Sequence, residues 1–382
     1  MTGGVRGGPT LSPSTRVRTT PFTPRIEAAG VTAYTVYNHT LLPTVFRSLD
    51  EDYWHLRAHV QLWDVACQRQ VDVRGPDAAR LVQLLTPRDL SAAAPGRCLY
   101  APLVDADGGV VNDPVISVLA DDHFWLSIAD ADVDLWVSGL AHGLDLDVSV
   151  STPPVTPLAV QGPWAEDLVA RIFGDASREI RFFRFAHLTF AGHPLMVART
   201  GWSRQGGYEI YVDRDDLALP LWDALWDAGQ DLGVAAGGPN LIERIEGGLL
   251  SYGADMTRAH NPFECRFERF CHLDRPTTFL GRAALERIAA RGVARRIMGL
   301  ELDAATLPPC VAPWPVTVGS QRVGEVSSAA VSPARRRGVA IAMLDRSHAR
   351  PGAEVTVATP DGVVVATVMD LPFPPSPAAV PA

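Results

Sequence analysis

Gly201-Trp-Ser-Arg-Gln-Gly-Gly-Tyr-Glu-Ile-Tyr211 runs from a glycine-containing turn into a short apolar strand pattern. It carries a carboxylate, an indole and two phenols. A second stretch, Asp107-Gly-Gly-Val-Val-Asn-Asp113-Pro114, repeats the plan of glycines, strand and acid. Aromatic faces beside a carboxylate suit a flat, hydrogen-bonding heterocycle better than a phosphate or a metal. If the two stretches converge in space, the fold is one built to hold a pterin-like ring.

Outward from these stretches, the apolar spacing predicts helices over 76–86, 162–172, 219–233, 241–251 and 281–291. Pro76 stands at the first turn of the first of them, where a missing N–H costs nothing. Trp222 and Trp226 fall on the apolar spacing of their helix and read as core. Val110–Leu119 and His123–Ile128 read as paired strands around Ala120-Asp-Asp122. From 293 onward the pattern changes to six short strand-like runs, 297–302, 316–319, 324–328, 339–344, 355–358 and 363–369, separated by turn signals such as Asp361-Gly362. This is an all-β tail of barrel size, and a domain boundary is expected near 290.

At 382 residues the chain is long for one core, so two or three domains are expected. A net charge of −9 disfavours broad nucleic-acid binding, which needs a positive face. No apolar run reaches the roughly 20 residues of a membrane helix. The five cysteines, Cys67, Cys98, Cys265, Cys271 and Cys310, are odd in number and form no C-x-x-C pair, which points to a reducing compartment. Arg6, Arg16, Arg18 and Arg25 precede the first acid, Glu27. That composition occurs in transit peptides, but no amphipathic pattern supports one, and a basic arm is the plainer reading.

Several chemistries lack their residues. No G-x-G-x-x-G follows a strand, and no G-x-x-x-x-G-K-[ST] is present. No closely spaced His/Cys set suggests zinc. His55 and His59 stand at i, i+4, without an acidic third ligand, and read as surface or capping residues. Gly201-Trp-Ser-Arg-Gln205 lacks the second glycine of a nucleophile elbow.

The chain resembles the glycine-cleavage T-protein family of tetrahydrofolate-dependent methyl- and aminomethyltransferases, and within it the demethylases of dimethylsulfoniopropionate. The resemblance rests on the order and spacing of many short segments. They include Ser14-Thr-Arg-Val-Arg-Thr-Thr-Pro-Phe-Thr-Pro-Arg25, Tyr34-Thr-Val-Tyr-Asn-His39, Leu85-Thr-Pro-Arg88 and Val111-Asn-Asp-Pro-Val115. Further along come Leu126-Ser-Ile-Ala-Asp130, Pro157-Leu-Ala-Val-Gln-Gly-Pro163, Gly207-Tyr-Glu-Ile-Tyr211 and Pro239-Asn-Leu-Ile-Glu-Arg-Ile-Glu246. It runs from about residue 14 to the C-terminus, so the basic arm falls inside it and a cleaved leader is disfavoured.

The resemblance implies an α+β fold of three lobes in a cloverleaf around a central hole that takes the folate. It implies a flexible stretch over 1–13, a folate-binding region of two interleaved lobes over 14–290, and a β-barrel domain over 291–382. It implies transfer of a methyl group from dimethylsulfoniopropionate to N5 of tetrahydrofolate, the co-substrate, with no metal. Asp113 matches the site aspartate and would orient the pterin near N5. Tyr100, Ser127, Phe183, Glu209 and Arg244 would bind the folate, Glu209 gripping the ring edge. Trp202, Tyr211 and Tyr37 would line the methyl donor. For Arg244 an internal ion pair is an equal reading. Arg291, Arg295, Arg296 and Arg335-Arg-Arg337 read as a solvated basic face, with a polyglutamate tail as the alternative. The implied partners are these two small molecules, with no nucleic acid and no membrane, in the cytoplasm; a homodimer is allowed.

Two departures bear on the donor. The ordinary T-protein carries two adjacent acids where this chain has Asn112-Asp113-Pro114, which disfavours aminomethyl transfer from a lipoyl carrier. Cys265-Arg266-Phe267 is bulkier than the small-residue–Gly–Leu run often found there, so another S-, N- or O-methyl donor is an alternative if this run borders the pocket. A non-catalytic folate-binding protein is a further alternative, but its Lys-Gly-Cys…Gly-Gln-Glu signature is missing near Cys265 and Cys271.

Overall fold

The computed structural model describes residues 14–375. The expected flexible stretch over 1–13, with Arg6, lies outside the described residues.

Two antiparallel-rich sheets draw strands alternately from the first two thirds of the chain. The six-stranded sheet runs Phe185–Phe190, His193–Ala198, Gly207–Val212, Thr156–Gln161, Val60–Asp64 and Val234–Gly237, and its last pair is parallel. The five-stranded sheet runs Ser149–Ser151, Gln70–Arg74, His123–Ser127, Val115–Ala120 and Cys98–Tyr100. Helices Ala165–Phe173 and Asp215–Ala228 bury one face of the larger sheet around Leu158, Val160, Val197, Ile210 and Trp222. Helices Ala78–Leu85 and Val133–Gly143 bury one face of the smaller around Val71, Val73, Ile116 and Leu126. The alternation along each strand sends the intervening residues to the opposite face. There Cys98, Val115 and Trp125 of one sheet pack with Met196, Ala198 and Tyr211 of the other.

The tail closes into a six-stranded barrel in the order Arg295–Leu302, Arg337–Asp345, Gln321–Ser332, Trp314–Val318, Glu354–Thr359 and Gly362–Met369. Each of the six expected runs falls on one of its strands, five of them within a strand of equal or greater length, while the run 316–319 overshoots Trp314–Val318 by Gly319. Closure removes the free edges that short strands would otherwise expose.

Three local expectations need correction. Val110–Leu119 is not one strand. Val110–Asn112 pairs with Leu103–Val104, and Val115–Ala120 belongs to the five-stranded sheet. Pro114 has no N–H to donate, so the ladder breaks there and frees Asp113 from both partners. The helix expected to Ser251 ends at Gly247, because Gly248 adopts φ +64° and caps it. The helix from Asp215 likewise stops at Ala228 and continues only as a 3₁₀ turn over Gln230–Leu232.

Candidate active site

The glycines of the opening stretch have a steric cause. Gly201 and Gly207 have φ +156° and +154°, and a Cβ on either would collide with the Gln161 amide. The loop between them wraps that amide, which accepts from Ser203 Oγ at 2.8 Å and donates to Thr200 O at 3.4 Å. The wrap delivers Glu209 and Tyr211 to one face of the next strand, two residues apart. Glu209 lies opposite Ala198 on one side and Ala159 on the other, so small neighbours leave space beside its carboxylate.

Glu209 is buried. It accepts from the Thr200 hydroxyl, and from the Tyr211 hydroxyl at 3.5 Å. Burial pushes its pKa up, and those two donors act against the rise. Tyr211 also hydrogen-bonds Ser127, whose Oγ accepts from Gln70 Nε2 at 3.0 Å. Phe183 packs in the same cluster as Tyr211. Its backbone is left-handed at φ +57°, held by backbone hydrogen bonds to Arg199, just past the strand His193–Ala198, and to Cys98 of the five-stranded sheet.

Asp113 sits at the break made by Pro114. Its Oδ2 accepts from the Tyr100 hydroxyl at 2.9 Å. Its Oδ1 is buried without a hydrogen-bond partner among the described residues. Burial, helped by the Asp255 carboxylate, pushes its pKa up to about 7, against the Tyr100 hydrogen bond that pulls it down. Tyr37, from the hairpin tip beside left-handed Asn38 and His39, lies within electrostatic reach, and its phenol is pushed up first by burial and then by Asp113.

The two acids are joined through the five-stranded sheet. Tyr100 pairs with Val115, Val115 with Ser127 and Ser127 with Gln70, so these side chains share one face. Tyr100 carries the contact to Asp113, and Ser127 carries the contact to Tyr211 and through it to Glu209. With strands about 4.8 Å apart, the two anchoring residues stand about 10 Å from each other. Asp113 hangs from the first of these residues and Glu209, through Tyr211, from the second.

Trp202 and Arg244 lie together on another side. The Arg244 guanidinium is 6.0 Å from the Trp202 ring centroid. It is also committed to Asp255 at 2.7 Å and to the barrel's Ser328 at 2.5 Å. Of the readings weighed for Arg244, the internal ion pair is present, with Asp255 as its partner. Asn112 bridges the Ala129 backbone in both directions and stands away from the Asp113 carboxyl. The Cys265–Phe267 run does border the site. Phe267 meets the Tyr100 ring at 5.6 Å, and the Asp113 charge acts on the Cys265 thiol.

The basic residues read as a solvated face are mostly paired: Arg295 with Glu264, Arg296 with Glu268, Arg335 with Glu301 and Arg337 with Asp303. Sequence reasoning did not point to Thr200, Gln70 or Asp255. Thr200 adjoins the quoted stretch and could have been included; Asp255 lies in irregular chain without periodicity. A cavity of about 170 Å³ lies elsewhere, lined by Arg57, Arg204, Glu243, Glu246 and Arg335, its glutamates already held by Arg57, Gln205, Tyr53 and Ser332. Among the described residues no cluster of three or more His, Cys, Asp or Glu is arranged to hold a metal, and no helix is long and apolar enough to cross a membrane. The five cysteines are free, with Cys67, Cys98 and Cys265 buried.

Comparison with known proteins bears on this geometry. Residues 22–275 match the family model described as the GCVT N-terminal domain, and 295–374 the glycine cleavage T-protein C-terminal barrel domain. The chain is 53% identical over 360 residues to the dimethylsulfoniopropionate demethylase of Ruegeria pomeroyi, covering 94% of this chain and 98% of that one. It is 32% identical to an aminomethyltransferase of Symbiobacterium thermophilum, covering 87% and 91%. The crystal structure of the glycine cleavage system aminomethyltransferase T from Bartonella henselae superposes with a TM-score of 0.83 over 95% of this chain and 99% of that one. At 23% identity this last match speaks to the fold alone.

Proposed function

The chain belongs to the glycine cleavage T-protein family, and from that membership we infer a tetrahydrofolate-dependent demethylase. It moves a methyl group from dimethylsulfoniopropionate to N5 of tetrahydrofolate, giving 3-(methylsulfanyl)propanoate and 5-methyltetrahydrofolate. The observation that carries the reading is the 53% identity to a dimethylsulfoniopropionate demethylase over nearly the whole of both chains.

A sulfonium methyl is already activated, because sulfur keeps the bonding electron pair and leaves as a neutral thioether. The N5–methyl bond forms, the sulfur–methyl bond breaks, and N5 gives up its proton. No side-chain nucleophile is required. Tetrahydrofolate, when bound, supplies the N5 lone pair. The protein holds the reacting atoms in line and excludes water, which can contribute about 7–11 kcal/mol in favourable cases.

Asp113 suits the N5 end in this reading. Its vacant Oδ1 accepts a ring N–H, and a pKa of about 7 lets the carboxylate take up the departing proton near neutrality. Glu209 grips the far ring edge, held at its station by Thr200 and Tyr211. Ser127 fixes the Tyr211 phenol, and Phe183 packs on the same side. Trp202, Tyr211 and Tyr37 offer aromatic faces to the cationic sulfur, each contact worth about 0.5–2 kcal/mol. One face of Trp202 already carries Arg244, so the sulfonium meets the other. Arg244 itself shapes the pocket through Asp255 and Ser328. A cytoplasmic location and a homodimer belong to the same reading; the free cysteines support a reducing compartment.

The test is turnover of dimethylsulfoniopropionate with and without tetrahydrofolate, following 5-methyltetrahydrofolate, beside a panel of other sulfonium, N-methyl and O-methyl donors. Methyl transfer from another donor with none from dimethylsulfoniopropionate would overturn the assignment.

A further inference from the structure

We propose that Phe267 and Phe270 are positioning residues whose rings hold Tyr100 in the rotamer that hydrogen-bonds Asp113, and that Arg266 ties this clamp to the C-terminal barrel. The proposal deepens the role given to Asp113 above and rests on it.

Three rings meet edge to face. Tyr100 stands 5.6 Å from Phe267 at 75° and 5.0 Å from Phe270 at 60°, and the two phenylalanines stand 6.3 Å apart. Phe270 is itself fixed by two guanidiniums, Arg269 at 4.6 Å and Arg88 at 5.3 Å from its centroid. Arg88 also donates to the Tyr100 carbonyl. Arg266, just before Phe267, is left-handed at φ +63°, a conformation an L-residue keeps only where its surroundings impose it. Its guanidinium meets Asp370 at 3.2 and 3.3 Å, directly after the barrel strand Gly362–Met369. Contact is thus continuous from Asp370 through Arg266, Phe267 and Tyr100 to Asp113.

The clamp has one consequence at Asp113. The groups facing that carboxyl are the Tyr100 hydroxyl, the Asp255 carboxylate, the phenols of Tyr37 and Tyr252, and the Cys265 thiol. Asp255 is paired with Arg244. Among the described side chains only Tyr100 donates a hydrogen bond to Asp113. A phenol free to leave its rotamer takes that donor away, and the carboxylate then holds its proton more tightly.

The experiment is a ¹³C-carboxyl NMR titration of Asp113 in the full-length protein without folate or donor, the resonance being identified by its loss in D113N. Y100F raises the midpoint by about one pH unit. F267L and F270L raise it in the same direction, R266A does so more weakly, and F267L on the Y100F background adds nothing. Thermal unfolding of each variant checks that the fold is kept. Unchanged midpoints in both F267L and F270L, or a full F267L effect persisting in Y100F, overturn the proposal. Because no turnover is measured, a failure of the demethylase reading would appear separately, as wild-type protein inactive toward dimethylsulfoniopropionate.

Discussion

Tyr100 donates its hydroxyl to Asp113 Oδ2 at 2.9 Å and leaves Oδ1 buried without a hydrogen-bond partner among the described residues. A native fold rarely buries an unsatisfied carboxyl oxygen unless something else satisfies it. In the proposed function this acceptor takes a ligand N–H.

Asp113→Ala removes that acceptor. Methyl transfer should fall at least about 100-fold, with thermal unfolding little changed. In the wild type kcat/KM should rise with pH through about 7, as the carboxylate becomes available to take the N5 proton. The pH–rate profile checks both; wild-type turnover in the alanine variant would remove Asp113 from the chemistry.

The same burial makes Asp113 costly to the empty fold. Its folded pKa lies above the ordinary carboxylate value, so the native state binds the proton more tightly than the unfolded chain. Below about pH 4 both forms are protonated and nothing is lost; stability falls as pH rises from there to about 7. Asp113→Asn should therefore raise the unfolding temperature at pH 8 by about 2–4 °C, and the gain should vanish near pH 4. Calorimetry at the two pH values measures it.

Glu209→Gln should weaken tetrahydrofolate binding about 10–100-fold, the loss of a hydrogen bond to a charged acceptor. The KM for the donor should move far less. Titration calorimetry with tetrahydrofolate reads the effect directly, and equal affinity in the variant would place the ring edge elsewhere.

Trp202→Ala should raise the donor KM about 3–30-fold, one cation–π contact, and leave folate affinity near wild type. Steady-state kinetics with each substrate varied in turn separates the two.

Asp255→Ala breaks a buried pair with Arg244, strips Ser328 of its acceptor and leaves Ser327 only the Ile341 carbonyl. An uncompensated buried guanidinium should cost about 3–5 kcal/mol. Urea unfolding checks this; a loss below about 1 kcal/mol would mean that water already reaches Arg244.

Much of the architecture is local and so was legible in the chain. The barrel strands announce themselves by alternation between turns, and Trp222 is buried on the helical spacing that predicted it. Gly201 and Gly207 mark where the chain must press against Gln161. Strand alternation likewise puts Glu209 and Tyr211 on one face, whereas the expectation of a single strand over Val110–Leu119 passes over the break that Pro114 makes beside Asp113. Tertiary structure decided the rest. That Oδ1 of Asp113 has no hydrogen-bond partner among the described residues, that Arg244 is spent on Asp255, and that Phe267 and Phe270 pack against Tyr100 depend on residues brought together from distant segments. Hydrophobic period and turn chemistry act over a few residues, whereas desolvation and hydrogen-bond supply at a buried carboxyl are set by whatever the fold packs around it.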